Sequence, residues 1–192
     1  MNKGDMGGRN FGHQEAIVAP LTAHSISPTN TSQPLYFAVS TTKLAVMFFC
    51  SMGIYGTYWF YKNWALIKDR EQSNISPVWR SLLEFLYCYS CFARIRDTAK
   101  ENLLEISLPI GSLTAGFIVI GLLGAAPDPC WILSSLAGLF LVPVQKVANR
   151  INSKLAPDHD ANCHFSGSNI AIVVAGGLLS AASIGKIFWS GI

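Results

Sequence analysis

The sequence predicts an all-α membrane protein with about four transmembrane helices and one amphipathic helix in the membrane interface. Of its 192 residues, 51% are hydrophobic and only 13% are charged, well below the ~25% charge of a soluble globular protein. Several uncharged runs are long enough to cross a bilayer, because about 20 helical residues span its ~30 Å hydrocarbon core. Lysine and arginine are concentrated in two of the segments between these runs.

Residues 1–35 are predicted to form a flexible polar N-terminal tail, and residues 36–192 one helical membrane domain. The tail mixes Gly, Ser, Thr, Asn and Pro without a sustained period, which is typical of a segment that cannot bury a core. The residues after Lys3 and Arg9 lack the apolar core of a signal peptide. We therefore expect the first membrane span to direct insertion itself.

The first predicted span covers about residues 44–61, between Lys43 and Lys62. Its eighteen uncharged residues would reach roughly 27 Å as a helix at ~1.5 Å per residue. Its second end is rich in aromatic residues beside a lysine, which is typical of side chains at the level of the lipid headgroups. The predicted membrane-interface anchors are Tyr58, Trp59, Tyr61, Lys62 and Trp64.

An amphipathic helix is predicted over about residues 78–95, because Ser76 and Pro77 are residues that begin helices. Its longest uncharged run, residues 85–93, is too short to cross a bilayer. We expect the helix to lie in the plane of the interface, and the alternative is a helix packed under the bundle. At 100° per residue its apolar face consists of Val78, Leu82, Phe85, Leu86, Tyr89, Phe92 and Ala93.

Two further uncharged runs, about residues 106–127 and 129–145, are predicted to form a tight antiparallel hairpin around a turn with two prolines. The fourth predicted span covers about residues 165–185. Small residues recur in it at four-residue spacing, which allows another helix to approach closely. We expect this strip to pack inside the monomer, with a homo-oligomer as the alternative. The strip consists of Gly177, Ala181 and Gly185.

Basic residues predict the orientation of the chain. Residues 62–105 hold seven lysines and arginines and residues 146–164 hold three, against four in the rest of the chain. Because lysine and arginine favour cytoplasmic loops, both segments are expected in the cytoplasm. With four spans, both termini would then lie outside.

Several classes of function find no support in the sequence. It has no nucleotide-binding, nucleophile-elbow or zinc-protease motif, and no cofactor is predicted. The predicted spans contain no Asp, Glu, Lys, Arg or His, although ion-coupled carriers generally need such groups near the midplane. The net charge of +3 is too small to indicate a nucleic-acid partner.

One metal site is weighed as an alternative. Cys88 and Cys91 are expected on the polar face of the amphipathic helix, on the same side of the membrane as the loop at residues 158–164. That loop contains His159, Cys163 and His164, and zinc accepts such cysteine and histidine ligands. The site would require the two segments to meet, and the competing interpretation is that the cysteines fill an apolar surface while the histidines are solvated.

The run Gly53-Ile-Tyr-Gly-Thr-Tyr-Trp-Phe-Tyr-Lys-Asn-Trp64 resembles the G-x-Y-x-x-Y-W-F-Y-K-N-W block of a group of uncharacterised bacterial membrane proteins. The likeness extends over about residues 34–190. It implies a multi-span protein of the bacterial inner membrane and assigns neither an activity nor catalytic residues. Further similar segments are residues 34–37, 75–80, 85–92, 143–152 and 165–170, although Cys88-Tyr-Ser-Cys91 departs from the pattern.

Two functions therefore remain. The preferred one is a non-enzymatic membrane protein whose helices dock a membrane or cytoplasmic protein or sense the lipid surface, with the lipid bilayer itself as a partner. The alternative is a metal- or redox-active protein that uses Cys88, Cys91 and the loop at residues 158–164.

Overall fold

The computed structural model describes residues 33–127 and 130–190, and all regular structure within those ranges is helical. This confirms the prediction of an all-α protein. The predicted tail, residues 1–35, lies almost entirely outside the described residues. The helices are α1 (Thr41–Cys50), α2 (Ile54–Glu71), α3 (Pro77–Leu82), α4 (Glu84–Glu101), α5 (Ile110–Leu122), α6 (Leu141–Leu155) and α7 (Gly167–Ser190), with 3-10 helices at Leu123–Ala125 and Cys130–Phe140 between α5 and α6.

The structure corrects the first predicted span, residues 44–61, which is two helices and not one. The chain turns through Met52, with φ 53°, and Gly53, with φ 92°, before α2 begins. A φ of 92° is strained for any residue with a side chain and is readily adopted by glycine. The residues on both sides of this turn are apolar or uncharged, so a prediction based on hydropathy along the chain does not detect the turn.

α1 and α2 form an antiparallel hairpin. At the turn, a Cβ atom on Gly56 would lie 2.5 Å from the ring of Phe48, so the end of α1 packs on the start of α2. At the opposite end Phe37, which precedes α1, donates its backbone N–H to Asn63 Oδ1 at 3.1 Å. The segment before α1 and the second half of α2 therefore lie at the same end of the molecule.

The predicted amphipathic helix, residues 78–95, is also divided, at Leu83 with φ −100° and ψ 41°. The short helix α3 packs along α2, and α4 runs towards the C-terminal end of α2, where Arg94 and Glu71 form a salt bridge of 3.0 Å. α3 and α4 thus make a V. Its apex lies beside the α1–α2 turn, because Met52 and Glu84 line the same cavity of about 290 Å³.

The predicted antiparallel hairpin of the second and third spans is present. A Cβ atom on Gly124 would lie 3.4 Å from Ser134 Oγ, and Gly116 packs directly against the ring of Phe140. The 3-10 helix and α6 together give a continuous apolar helix, Ile132–Leu155, the one helix among the described residues that is long and apolar enough to cross a membrane. A shorter apolar helix covers Ile110–Ala125.

α7 packs on α1 through one glycine. A Cβ atom on Gly176 would collide with the backbone carbonyl oxygen of Cys50, whereas one on Gly177 or Gly185 would meet no atom within 4 Å. Among the described residues, the strip from Gly177 to Gly185 does not pack against another helix, so the predicted packing of this strip inside the monomer is wrong. The close approach of α7 to α1 occurs instead at Gly176, one residue before the strip begins.

The core between these helices is largely aromatic. The rings of Phe60 and Phe92 stack with their centres 6.1 Å apart, and Phe117 and Trp59 lie edge-on or tilted against this pair. All four side chains are buried. Because each aromatic side chain buries a large apolar area, this cluster joins α2, α4 and α5.

Candidate functional site

The most unusual part of the structure is a segment without regular structure, Tyr36–Val39, buried between helices. A buried backbone needs partners for its N–H and C=O groups, and side-chain amides supply most of them here. We call the five amide residues the amide clamp: Asn63, Gln145, Asn149, Asn152 and Asn162.

Asn152 makes the two-sided contact of the clamp. Its Oδ1 accepts from the backbone N–H of Tyr36 at 3.1 Å, and its Nδ2 donates to the carbonyl oxygen of the same residue at 2.8 Å. Gln145 Nε2 donates to the carbonyl oxygen of Phe37 at 2.9 Å. Asn149 Nδ2 donates to that of Val39, also at 2.9 Å. The backbone of the segment is thus held by side-chain amides.

Helical spacing explains why these side chains converge. Gln145, Asn149 and Asn152 are four and three residues apart in α6, which places them on one face of the helix. Asn63 approaches from α2 and is itself fixed, because its Nδ2 donates to the carbonyl oxygen of Trp59 at 2.9 Å. The Trp59 indole N–H in turn donates to Gln145 Oε1 at 2.5 Å. The clamp is therefore one connected network of hydrogen bonds.

Three segments meet at the clamp: residues 34–37, 53–64 and 143–152. The sequence analysis did not identify the clamp. The available signal was the row of amides at helical spacing in α6, next to apolar residues that are buried. Asparagine and glutamine in such a row indicate bound backbone, since neutral amides both donate and accept.

Two of the five predicted interface anchors lie inside the protein. Trp59 and Trp64 are both fully buried, and Trp64 packs between the guanidinium groups of Arg80 and Arg94, 4.4 and 5.2 Å from its ring centre. Their role as anchors is therefore corrected, because a buried ring cannot reach a headgroup. Tyr58, Tyr61 and Lys62 retain at least partial exposure, and their anchoring role stays a prediction.

The structure does not bring the predicted zinc ligands together. Cys88 and Cys91 lie fully buried in α4. His159, Cys163 and His164 lie in the more open loop after α6. Among the described residues no three His, Cys, Asp or Glu side chains are grouped to hold a metal ion.

Most of the apolar face predicted for residues 78–95 points outward, but Phe92 is buried in the aromatic core, which corrects that part of the prediction. Leu86 is 74% exposed, Val78, Leu82 and Tyr89 are each more than half exposed, and the face with the cysteines is buried instead. Other helices also expose large apolar side chains. We call this the apolar surface; it includes Ile54, Trp79, Leu82, Leu86, Val119, Leu122, Leu139, Leu178 and Leu179.

Charged residues gather at one end, which we call the charged end: the C-terminal parts of α2, α4 and α6 with the loops that follow them. Contacts join these parts, for example Lys154 Nζ, which donates to the carbonyl oxygen of Asn102 at 2.6 Å. Away from this end lie Glu84, at the apex of the V, and Lys186, which is exposed near the end of α7.

Comparisons of the chain with protein-family models, with curated proteins and with solved structures found no match. The function must therefore be inferred from the clamp, the apolar surface and the charged end.

Proposed function

We propose that this chain is a non-enzymatic integral membrane protein that presents its charged end at the lipid surface and docks there with lipid or with a partner protein. The observation that carries the proposal is the exposure of many large apolar side chains on several helices, while charged residues are concentrated in the C-terminal parts of α2, α4 and α6 and the loops that follow. Monomeric soluble proteins rarely expose contiguous apolar patches larger than a few hundred Å². A bilayer covers such a surface without further protein.

The hairpin of α1 and α2 supports a topology different from four simple spans. Phe37 and Lys43 lie beside Asn63 and His164, so both ends of the hairpin belong to the charged end. We propose that α1–α2 and α3–α4 enter the membrane and return, while α5, the helix Ile132–Leu155 and α7 cross it. The N-terminal part would then be cytoplasmic and the C-terminus outside.

The distribution of basic residues supports this orientation. Residues 62–105 hold seven lysines and arginines and residues 146–164 hold three. Lys43 joins them, because its Nζ donates to the carbonyl oxygen of His164 in the loop after α6, whereas Lys186 lies near the end of α7. Positive charge favours the cytoplasmic side. The resemblance of residues 53–64 supports the bacterial inner membrane as the location.

A non-enzymatic role is supported by the chemistry of the clamp. Its amides are neutral, and their hydrogen bonds are taken by the backbone of residues 36–39. The metal- or redox-active alternative draws no support from the described residues, because its cysteines are buried away from its histidines. We therefore propose that the clamp has a structural role: it holds the segment Tyr36–Val39 and so fixes the position of the charged end relative to the membrane.

Membrane retention tests the proposal. Membranes from cells that express the full chain are washed with alkaline carbonate, which removes peripheral proteins, and we expect the chain to remain in the pellet. Replacing Leu82 and Leu86 with aspartate should reduce the amount assembled, since each charge would cost about 2.5–3.5 kcal/mol at the centre of a bilayer and less near its surface. The control is Ser153→Asp at the charged end. Recovery of the unmodified chain in the soluble fraction would overturn the proposal.

A further inference from the structure

A groove of about 760 Å³ runs between α1, the start of α2 and α7. Its size lies within the roughly 300–1,000 Å³ of small-molecule sites. Most of its lining is apolar, including Met47, Ile54, Tyr55, Ile172 and Leu179. Because Ile54 and Leu179 also belong to the apolar surface, the groove opens towards the side that we place in the membrane.

Lys43 lies at the polar end of this groove and is only 2% exposed. Its Nζ donates to Asn162 Oδ1 and to the carbonyl oxygen of His164, both at 2.7 Å. With the Asn169 amide turned so that its oxygen faces the ammonium group, a third contact of 2.9 Å forms. All three acceptors are neutral, and so is the Phe165 ring, whose centre lies 5.8 Å from Nζ.

No carboxylate compensates this charge among the residues that the structure describes. Their salt bridges within 4 Å join Arg94 to Glu71 and Arg96 to Asp97, and neither involves Lys43. A buried charge without a counter-charge is costly, because water no longer solvates it and neutral dipoles replace water only in part. An anion in the groove would be attracted strongly by this ammonium group.

Two helix starts add to the positive potential. α1 begins at Thr41 and α7 at Gly167, so both N-termini adjoin Lys43. Helix N-termini carry unpaired N–H groups and a partial positive charge, and they favour anions. Ser166 and Ser168 line the same end of the groove, where their hydroxyl groups hydrogen-bond to each other at 2.9 Å.

We propose that the groove binds one anionic phospholipid of the cytoplasmic leaflet, with its phosphate at Lys43 and one acyl chain along the apolar lining. This deepens the proposed function and rests on it, since it names the lipid at the charged end. The phosphate matches the uncompensated cation, and the apolar lining matches the chain. A free phosphate would leave most of the groove empty.

Binding is measured by native mass spectrometry of the full chain in detergent, with phosphatidylglycerol or phosphatidylcholine added. We expect one phosphatidylglycerol per chain, at least tenfold preferred over phosphatidylcholine. Lys43→Met should remove that preference and Lys43→Arg should largely keep it. The matched control is Lys146→Met, which removes an exposed lysine of α6 and should change nothing.

Two further experiments show whether the bound phosphate belongs to a lipid or to a free anion, and whether a loss of binding in Lys43→Met reflects misfolding. Glycerol phosphate, the headgroup without chains, should not compete; full competition would overturn the lipid proposal in favour of a free-anion site. Ile172→Trp fills the apolar part and keeps Lys43, so it should lower phosphatidylglycerol binding even if Lys43→Met fails to fold. Equal binding of both lipids, or unchanged binding in Ile172→Trp, would overturn the inference while leaving membrane retention as a separate result.

Discussion

Replacing Asn152 with alanine is expected to lower the free energy of unfolding by about 2–4 kcal/mol. The change removes both partners of the Tyr36 peptide groups, which are buried, and an unsatisfied buried donor or acceptor costs about 1–3 kcal/mol each. The segment Tyr36–Val39 should also become accessible, because the clamp no longer closes over it. The measurement is equilibrium unfolding of the detergent-solubilised chain, combined with limited proteolysis.

The matched control is Ser153→Ala, the next residue of the same helix, which is exposed. It should change the free energy of unfolding by less than about 0.5 kcal/mol. Equal stabilities of the two variants would mean that Asn152 does not hold the segment, and the clamp would lose its structural role.

Replacing Gly176 with leucine is expected to separate α7 from α1 and to lower the free energy of unfolding by at least about 2 kcal/mol. Its side chain would collide with the carbonyl oxygen of Cys50. That atom belongs to the backbone, so no rotamer change can relieve the collision. Thermal unfolding, together with protease cleavage in the loop at residues 156–166, measures the effect.

Gly177→Leu provides the control one residue further along α7, where an added Cβ atom meets no described atom within 4 Å. We expect its melting temperature and cleavage pattern to match those of the unmodified chain. If Gly177→Leu destabilises as much as Gly176→Leu, α7 packs through a different face from the one seen here.

Much of the fold followed from the sequence because it depends on local patterns. The helical class and the hairpin of α5 with the 3-10 helix Cys130–Phe140 follow from apolar run length, and most of the exposed apolar face of residues 78–95 follows from apolar periodicity. The division of residues 44–61 did not, because Met52 and Gly53 turn the chain inside an uninterrupted apolar run. Run length measures whether a helix could cross a bilayer and does not exclude a hairpin of the same composition.

The clamp could not be predicted because it depends on contacts between distant residues. Asn63 and Asn152 bind a segment that lies 26 and 116 residues away in the chain, and no motif describes such pairs. Trp59 was interpreted as an interface anchor from its aromatic neighbours. Its indole N–H instead reaches Gln145, 86 residues further along the chain, because tertiary packing decides which aromatic side chains are buried.

The most direct test of the membrane account is cysteine labelling in intact cells, with single cysteines introduced into a cysteine-free background at Gln33, Asn74 and Trp189. All three positions are exposed, and the first two lie at the charged end while the third lies near the end of α7. We predict that an impermeant maleimide labels Trp189→Cys in intact cells, and labels Gln33→Cys and Asn74→Cys only after permeabilisation. Labelling of Gln33→Cys in intact cells while Asn74→Cys stays protected would contradict the account, because α1 and α2 would then cross the membrane as one span.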